Sequence, residues 1–259
     1  MKKLLFIQII LFLSSISLLL AADKKVVIAG AGPSTKIVGV FFEAFSQQGP
    51  AKNLTFIIPP KSVKHAGGIK ASGKNLFGRT GRPLNKKELA RNKKDIVLGK
   101  LPLAFIVGSG ANVEKITFPQ LKNIFAGKIT NWKEVGGSDN KIFLVGREKG
   151  EAVLSVLSKK YPVFGKAKYK KRFKKDHQVM SFLKNRQSKY AIAFGVESNF
   201  VKSRLLEIDG FADGINVGLV IDLKNKDDKL VRAVIQFAES KEWKELSIKN
   251  GFLPVEKAY

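Results

Sequence analysis

Residues 115–150 read KITFPQLKNIFAGKITNWKEVGGSDNKIFLVGREKG, and this stretch decides the fold. Thr117 and Gln120 stand in capping-box order, so the hydroxyl can accept from the Gln120 amide while the glutamine side chain reaches back to residue 117. Pro119 falls in the first turn, where a missing amide costs little. Phe118, Leu121, Ile124 and Phe125 share one helical face, and Gly127 follows where a left-handed C-terminal cap belongs. After Asn131-Trp132 and the Gly136-Gly137 turn, residues 142–145 read as a buried strand, with Arg147, Lys149 and Gly150 expected just beyond its carboxyl end. In an open α/β sheet, ligands bind in the crevice outside that end.

Toward the N-terminus, residues 26–29 read as a strand, followed by Gly30-Ala31-Gly32-Pro33-Ser34-Thr35. Ile37, Val40, Phe41, Ala44 and Phe45 then recur at helical spacing. A strand, a glycine turn and a helix opening on Ser34 and Thr35 set amides and two hydroxyls at one helix N-terminus, a place for an oxyanion. The plainer alternative is that Ser34 is only an N-cap. The turn lacks the third glycine of a dinucleotide fingerprint, and no P-loop lysine motif occurs. Residues 54–58 read as the next strand, closed by Pro59-Pro60, and Gly67-Gly68 before Ile69 is either a second helix opening or a turn. Residues 75–78 read as a short strand. Arg82-Pro83-Leu84 then leads into a polar helix over 86–93. Arg82 has the planar fork that suits an oxyanion, or it pairs structurally with a neighbour. Residues 101–107 read as a buried strand leading into the opening stretch.

Toward the C-terminus, Val153, Val156, Leu157 and Tyr161 give a helix stripe, and a dense basic run covers 166–175. A short helix near 179–183, strands over 190–195 and 217–221, and an amphipathic helix on Val231, Val234, Ile235, Phe237 and Ala238 follow.

The run FPQLKNIFAGKITNWKEVGG, a strand and then GREKG resembles the second-lobe signature of phosphate-type substrate-binding proteins of ABC transporters. That family reads there as a leucine-rich helix, I-F-x-G-K-I-T-N-W, a strand and R-x-x-G-S-G-T. Agreement holds through Gly150, and then Glu151-Ala152-Val153 stands where the family has Ser-Gly-Thr. Residues 66–70 are similar to its S-G-G-x-I-K-A element, and 190–195 to its G-A-I-G-Y segment. Arg82-Pro83-Leu84 matches the end of its A-S-R-P-L, with Thr80-Gly81 in place of Ala-Ser.

The resemblance implies an α/β, two-lobed periplasmic binding protein-like type 2 fold, each lobe a mixed sheet flanked by helices. Lobe 1 is expected over 23–104, lobe 2 over 105–205 and a return to lobe 1 over 206–259. It also implies a monomeric receptor whose lobes close on an oxyanion, phosphate first, and whose closed form meets an ABC transporter permease. The implied ligand residues are Ser34, Thr35, Gly67, Gly68, Arg82, Arg147, Lys149 and Gly150. A second implication differs in class: a binding-fold protein that has lost its small ligand and acts as a periplasmic interaction or sensory partner. Glu151 divides the two, because a carboxylate cannot donate to an oxyanion and repels a dianion at close range. Either Glu151 points outward and complements a helix dipole, or it folds back on Arg147 and fills the anion position itself.

Composition narrows the remaining classes. The chain has 259 residues, an apolar fraction of 44 % and a net charge of +26, enough for a large core and a strong attraction for anions. Lys2 and Lys3 precede an apolar run, and Ala21-Ala22 precede Asp23, the layout of a cleaved secretory leader over 1–22 and hence a periplasmic address; an uncleaved anchor is the alternative. The absence of cysteine, with His65 and His177 far apart, argues against a metal site, and no cofactor is expected. Ser62 beside His65 is the sole local nucleophile–base pair and reads better as turn residues, so no catalysis is expected. The lysines are spread along the chain, which argues against a dedicated nucleic-acid site and leaves a weak polyanion or anionic membrane contact.

Overall fold

The computed structural model describes residues 24–60 and 67–259. The expected leader and the Ser62–His65 pair lie outside the described residues. Ten strands are present there: β1 (Lys24–Gly30), β2 (Leu54–Ile57), β3 (Phe77–Thr80), β4 (Lys93–Val107), β5 (Lys115–Thr117), β6 (Phe143–Arg147), β7 (Lys171–Phe173), β8 (Ala191–Val196), β9 (Leu205–Asp209) and β10 (Gly214–Asp222). The helices are α1 (Thr35–Phe45), α2 (Gly67–Lys74), α3 (Lys86–Leu89), α4 (Phe118–Ala126), α5 (Ala152–Lys160), α6 (Pro162–Lys166), α7 (Asp176–Leu183), α8 (Lys229–Ala238) and α9 (Lys241–Lys249).

The strands run in the order β2-β1-β3-β10-β4-β8-β6-β7, with β9 pairing β4 and β5 to the side. β1 is parallel to β2 and β3, and β6 is parallel to β7 and β8, while β10 and β4 run antiparallel between the two groups. One strand serves both lobes. β4 pairs β10 as far as Pro102, opposite Gly214, and from Leu103, opposite Val196, it pairs β8. Its second half is a nearly unbroken buried run, as a strand covered on both faces requires.

Each lobe has its own aromatic core. In lobe 1, Ile37, Val38, Phe41, Phe42 and Phe45 bury one face of α1, and Phe41 meets Phe237 of α8 and Trp243 of α9 edge-on. Trp243 also donates from Nε1 to the Leu98 carbonyl at 2.8 Å. In lobe 2, Phe105, Phe125, Phe164 and Phe194 form a mutual cluster. Burying each such ring is worth on the order of 2 kcal/mol or more. The α4 helix forms as expected: Thr117 and Gln120 make the reciprocal capping box, Leu121, Ile124 and Phe125 are buried, and Gly127 ends α4 at φ 75°. Trp132 is fully buried and donates to the Tyr190 carbonyl at 3.0 Å, which ties the Asn-Trp turn to the approach to β8.

Several expected boundaries move. The polar helix expected over 86–93 stops at Leu89, because Asn92 takes left-handed backbone (φ 55°) and Lys93 opens β4, its ammonium held by Asp222 at 2.8 Å. Arg147 is the last residue of β6 rather than a residue beyond it. The lysine run hides a strand, β7, and α9 and the short β5 and β9 were not anticipated.

Candidate functional site

The opening of α1 and the loop that carries Glu151 into α5 meet at one cleft, whereas the Gly67-Gly68 opening lies outside it. A cavity of about 580 Å³ is lined by Gly32, Pro33, Thr35, Lys36 and Gly81 from one lobe and by Glu151, Ala152, Val153, Asp176, Ser198 and Asn199 from the other. Leu101 and Ile215, on the strands that connect the lobes, line it as well. The ends of β1, β3, β6 and β8 thus deliver their following loops to a common space, as the topology of an open α/β sheet dictates.

On the lobe 1 side, α1 opens without a side-chain cap. Ser34 is buried and turns its hydroxyl back to the Ala31 carbonyl at 3.2 Å. The Thr35 hydroxyl is buried and has no hydrogen-bond partner. Its neighbourhood is fixed from behind by Arg79, a fully buried guanidinium that donates to the carbonyls of Ala31 (2.9 Å) and Ile28 (3.1 Å). Burial lowers the Arg79 pKa; the two carbonyl acceptors offset part of that cost, while Nη2 is buried without a partner. Gly67 and Gly68 open α2, and Gly68 lies so close to Arg79 that a Cβ there would come within 2.7 Å of the Arg79 carbonyl oxygen. Gly68 therefore packs α2 onto β3. Arg82 forks onto Glu88 with both contacts at 2.8 Å and is not among the residues lining the cleft.

The lobe 2 side is built in the opposite way. Arg147 is 2 % exposed and its guanidinium sits between two carboxylates, Glu151 Oε1 at 3.3 Å from Nη2 and Asp176 Oδ1 at 2.8 Å from Nη1. The Asp176 contact is a close ion pair without an aligned hydrogen bond, and Arg147 Nε has no acceptor. The other Glu151 oxygen, Oε2, accepts from the Leu154 amide at 3.1 Å and so caps α5. Asp176 is held in turn by the Asn199 amide group. Glu151 and Asp176 line the cleft and Arg147 does not, so the carboxylates cover the guanidinium. Lys149 and Gly150 occupy the exposed turn between β6 and α5, and the Lys149 side chain is not part of the cavity wall.

Of the eight residues expected at the site, only Thr35 lines the cleft directly; Ser34 and Arg147 lie immediately behind it. Asp176, Asn199 and Arg79 were not anticipated. Asp176 had one sequence signal, as the acidic residue that ends a run of seven basic ones over 166–175. Among the described residues, no group of three or more histidine or acidic side chains is arranged to hold a metal ion.

A family profile described as the PBP superfamily domain matches residues 20–212. The chain belongs to this family. It is similar to the phosphate-binding protein PstS of Borreliella burgdorferi, with 25 % identity over 98 % of this chain and 99 % of that protein. Among solved structures, it resembles a substrate-binding protein with bound phosphate from Clostridium perfringens, at a TM-score of 0.61 and 22 % identity over 90 % of this chain and all of that one. An ABC-type phosphate transport receptor from Vibrio cholerae superposes with a TM-score of 0.55 and 21 % identity, again over 90 % of this chain and all of that one. At these identities the structural likeness speaks for the fold, a two-lobed mixed α/β architecture.

Proposed function

We propose that this chain is a periplasmic solute-binding receptor that captures an oxyanion, phosphate first, between its lobes for an ABC importer. One observation carries the reading: the N-termini of α1 and α5, one from each lobe, border the same cavity, and the Thr35 hydroxyl there is buried without an acceptor. Two opposed helix openings with a buried hydroxyl suit a tetrahedral anion. The similarity to phosphate-binding relatives supports the same choice. Glu151 stands in for the anion on lobe 2, giving its two oxygens to Arg147 and to the α5 amide. A ligand must displace it, so affinity is lower than in a receptor with a serine at this position. Ser34, Thr35 and Arg147 are the assigned contacts, with Gly67, Gly68, Arg82, Lys149 and Gly150 in supporting turns and helix openings.

The second reading, a ligand-divergent partner protein, is favoured by the charge balance at Arg147, where two carboxylates face one guanidinium. A thermal-shift panel of phosphate, sulfate and molybdate on the mature protein separates the two. An anion present at a hundred times its Kd stabilises by about 2.7 kcal/mol. A clear upward shift with one of them supports the receptor, and none with any of them favours the divergent reading. The lobe boundaries at 104/105 and 205/206 remain part of the proposal. The strand pairing supports a handover between residues 102 and 103 and a return with β10. Cleavage of the leader after residue 22 and a monomeric state belong to it too, the first testable by the N-terminal residue of the secreted protein.

A further inference from the structure

The first part of the basic run, residues 166–170, has a face of its own that shares no lining residue with the cleft. Lys166, Lys168 and Lys170 surround a pocket of about 600 Å³ whose walls include Ile142, Leu144 and Val163. None of the three lysines has a carboxylate within ion-pair distance among the described residues, unlike Lys93, Lys115, Lys133 and Lys160. The other cations of the run turn elsewhere: Lys171 lies over the Phe182 ring, and Arg172 lies over Tyr169 and donates to the Arg147 carbonyl. The nearby acids do not neutralise the rim. Asp176 is tied to Arg147, and Glu148 sits in the loop after β6, its amide bonded to the Phe173 carbonyl.

Protection of an edge strand explains part of this charge. β7 ends the sheet, and lysines on an edge discourage pairing with another chain. That accounts for Lys171 and Arg172, whereas Lys166, Lys168 and Lys170 precede the strand and ring an apolar floor. A long lysine stem over apolar surface with its ammonium in solvent is the arrangement that meets a bilayer interface, where apolar and anionic groups lie side by side. Nucleic acid is less well matched, since the neighbouring rings of Tyr169, Phe173 and Phe125 are buried or half-buried and offer no stacking platform.

We propose that the Lys166–Lys168–Lys170 face of lobe 2 is a docking surface for an anionic lipid bilayer, with the lysines on headgroup phosphates and the pocket against the acyl boundary. Such docking would hold the receptor beside the membrane whatever fills its cleft, so its test is independent of the oxyanion reading.

Cosedimentation with vesicles of phosphatidylcholine alone or with about one third phosphatidylglycerol tests it. The protein is expected to bind the anionic vesicles at low salt, to release them as salt rises, and to ignore the neutral ones. The K166Q/K168Q/K170Q variant should lose roughly a hundredfold in affinity at low salt. A control variant with the same charge change on lobe 1, K226Q/K229Q/K249Q, should lose only a few-fold. Equal losses in the two variants, or equal binding to neutral vesicles, overturn the proposal. So does binding of heparin through this face without binding to anionic vesicles, which would indicate a polyanion partner instead. Unchanged melting temperatures of both variants confirm that any loss is not unfolding.

Discussion

The helix openings on the two sides of the cleft differ in how much each leaves undone. At α1 no side chain caps the first turn and the Thr35 hydroxyl is buried without a partner. At α5 the Glu151 carboxylate caps the turn with one oxygen and meets Arg147 with the other, and Asp176 takes the remaining side of the guanidinium. An opening is ready for a ligand when its donors have no internal acceptor. By that measure the α1 opening keeps a donor without an internal acceptor, while the α5 opening is already met by a carboxylate of the chain itself.

Removing the cation common to both carboxylates should have the largest effect. Arg147→Ala leaves Glu151 and Asp176 facing each other across a void, and is expected to cost about 3 kcal/mol, the low end for breaking a buried pair because both acids keep some solvent. Urea midpoints measure it, and a loss below about 1 kcal/mol would mean the triad is not a structural unit. Glu151→Ala removes a cap and one of the two ion pairs and is expected to cost about 1 to 2 kcal/mol by the same measurement. Phosphate affinity should rise at the same time, a combination that a purely structural residue would not give.

Arg82 and Glu88 provide an ion pair outside the cleft for comparison. Hydrogen bonding to Arg82 holds the Glu88 carboxyl below the usual glutamate range, so the folded protein releases that proton more readily than the unfolded chain. The resulting stability is present above the unfolded pKa of about 4.3 and is lost as pH falls through the lower folded value. Because the Arg82 side chain is 44 % exposed and the pair is screened by solvent, Arg82→Gln should cost under about 1 kcal/mol at pH 7. The variant and the parent should converge in stability as pH falls through that lower folded value. Thr35→Val is expected to change stability least, by under about 0.5 kcal/mol, since the hydroxyl makes no internal bond. It should nevertheless weaken oxyanion binding about tenfold, the worth of one hydrogen bond to a charged group. A large stability loss without change in binding would place the hydroxyl in the fold rather than the site.

The fold was legible wherever its cause is local. Thr117, Gln120 and Gly127 mark both ends of α4 within a few residues, and the spacing of Leu121, Ile124 and Phe125 gives its buried face. Elements with weak local signals were missed: α9 buries little beyond Trp243 and Ser247, and β7 carries lysine and arginine where apolar alternation would have revealed a strand. The site was half legible. Glu151 stands four residues from Arg147, so their pairing could be posed as one of two alternatives and the structure bears it out. Asp176 reaches the same guanidinium only because β7 pairs beside β6, and nothing in the local sequence announces that neighbour. Arg82 illustrates the converse, a residue matching a family motif whose fork is taken by a glutamate six positions on.

The claim that Glu151 occupies the anion position is tested most directly by calorimetric titration of phosphate into the parent protein and the E151S/A152G/V153T variant. With the internal carboxylate gone and serine and threonine hydroxyls in place, the variant is expected to bind at least about tenfold tighter, since a like charge some 4 Å away costs on the order of kcal/mol even at an effective dielectric near 20. Equal affinity in the two proteins, measurable or not, would contradict it.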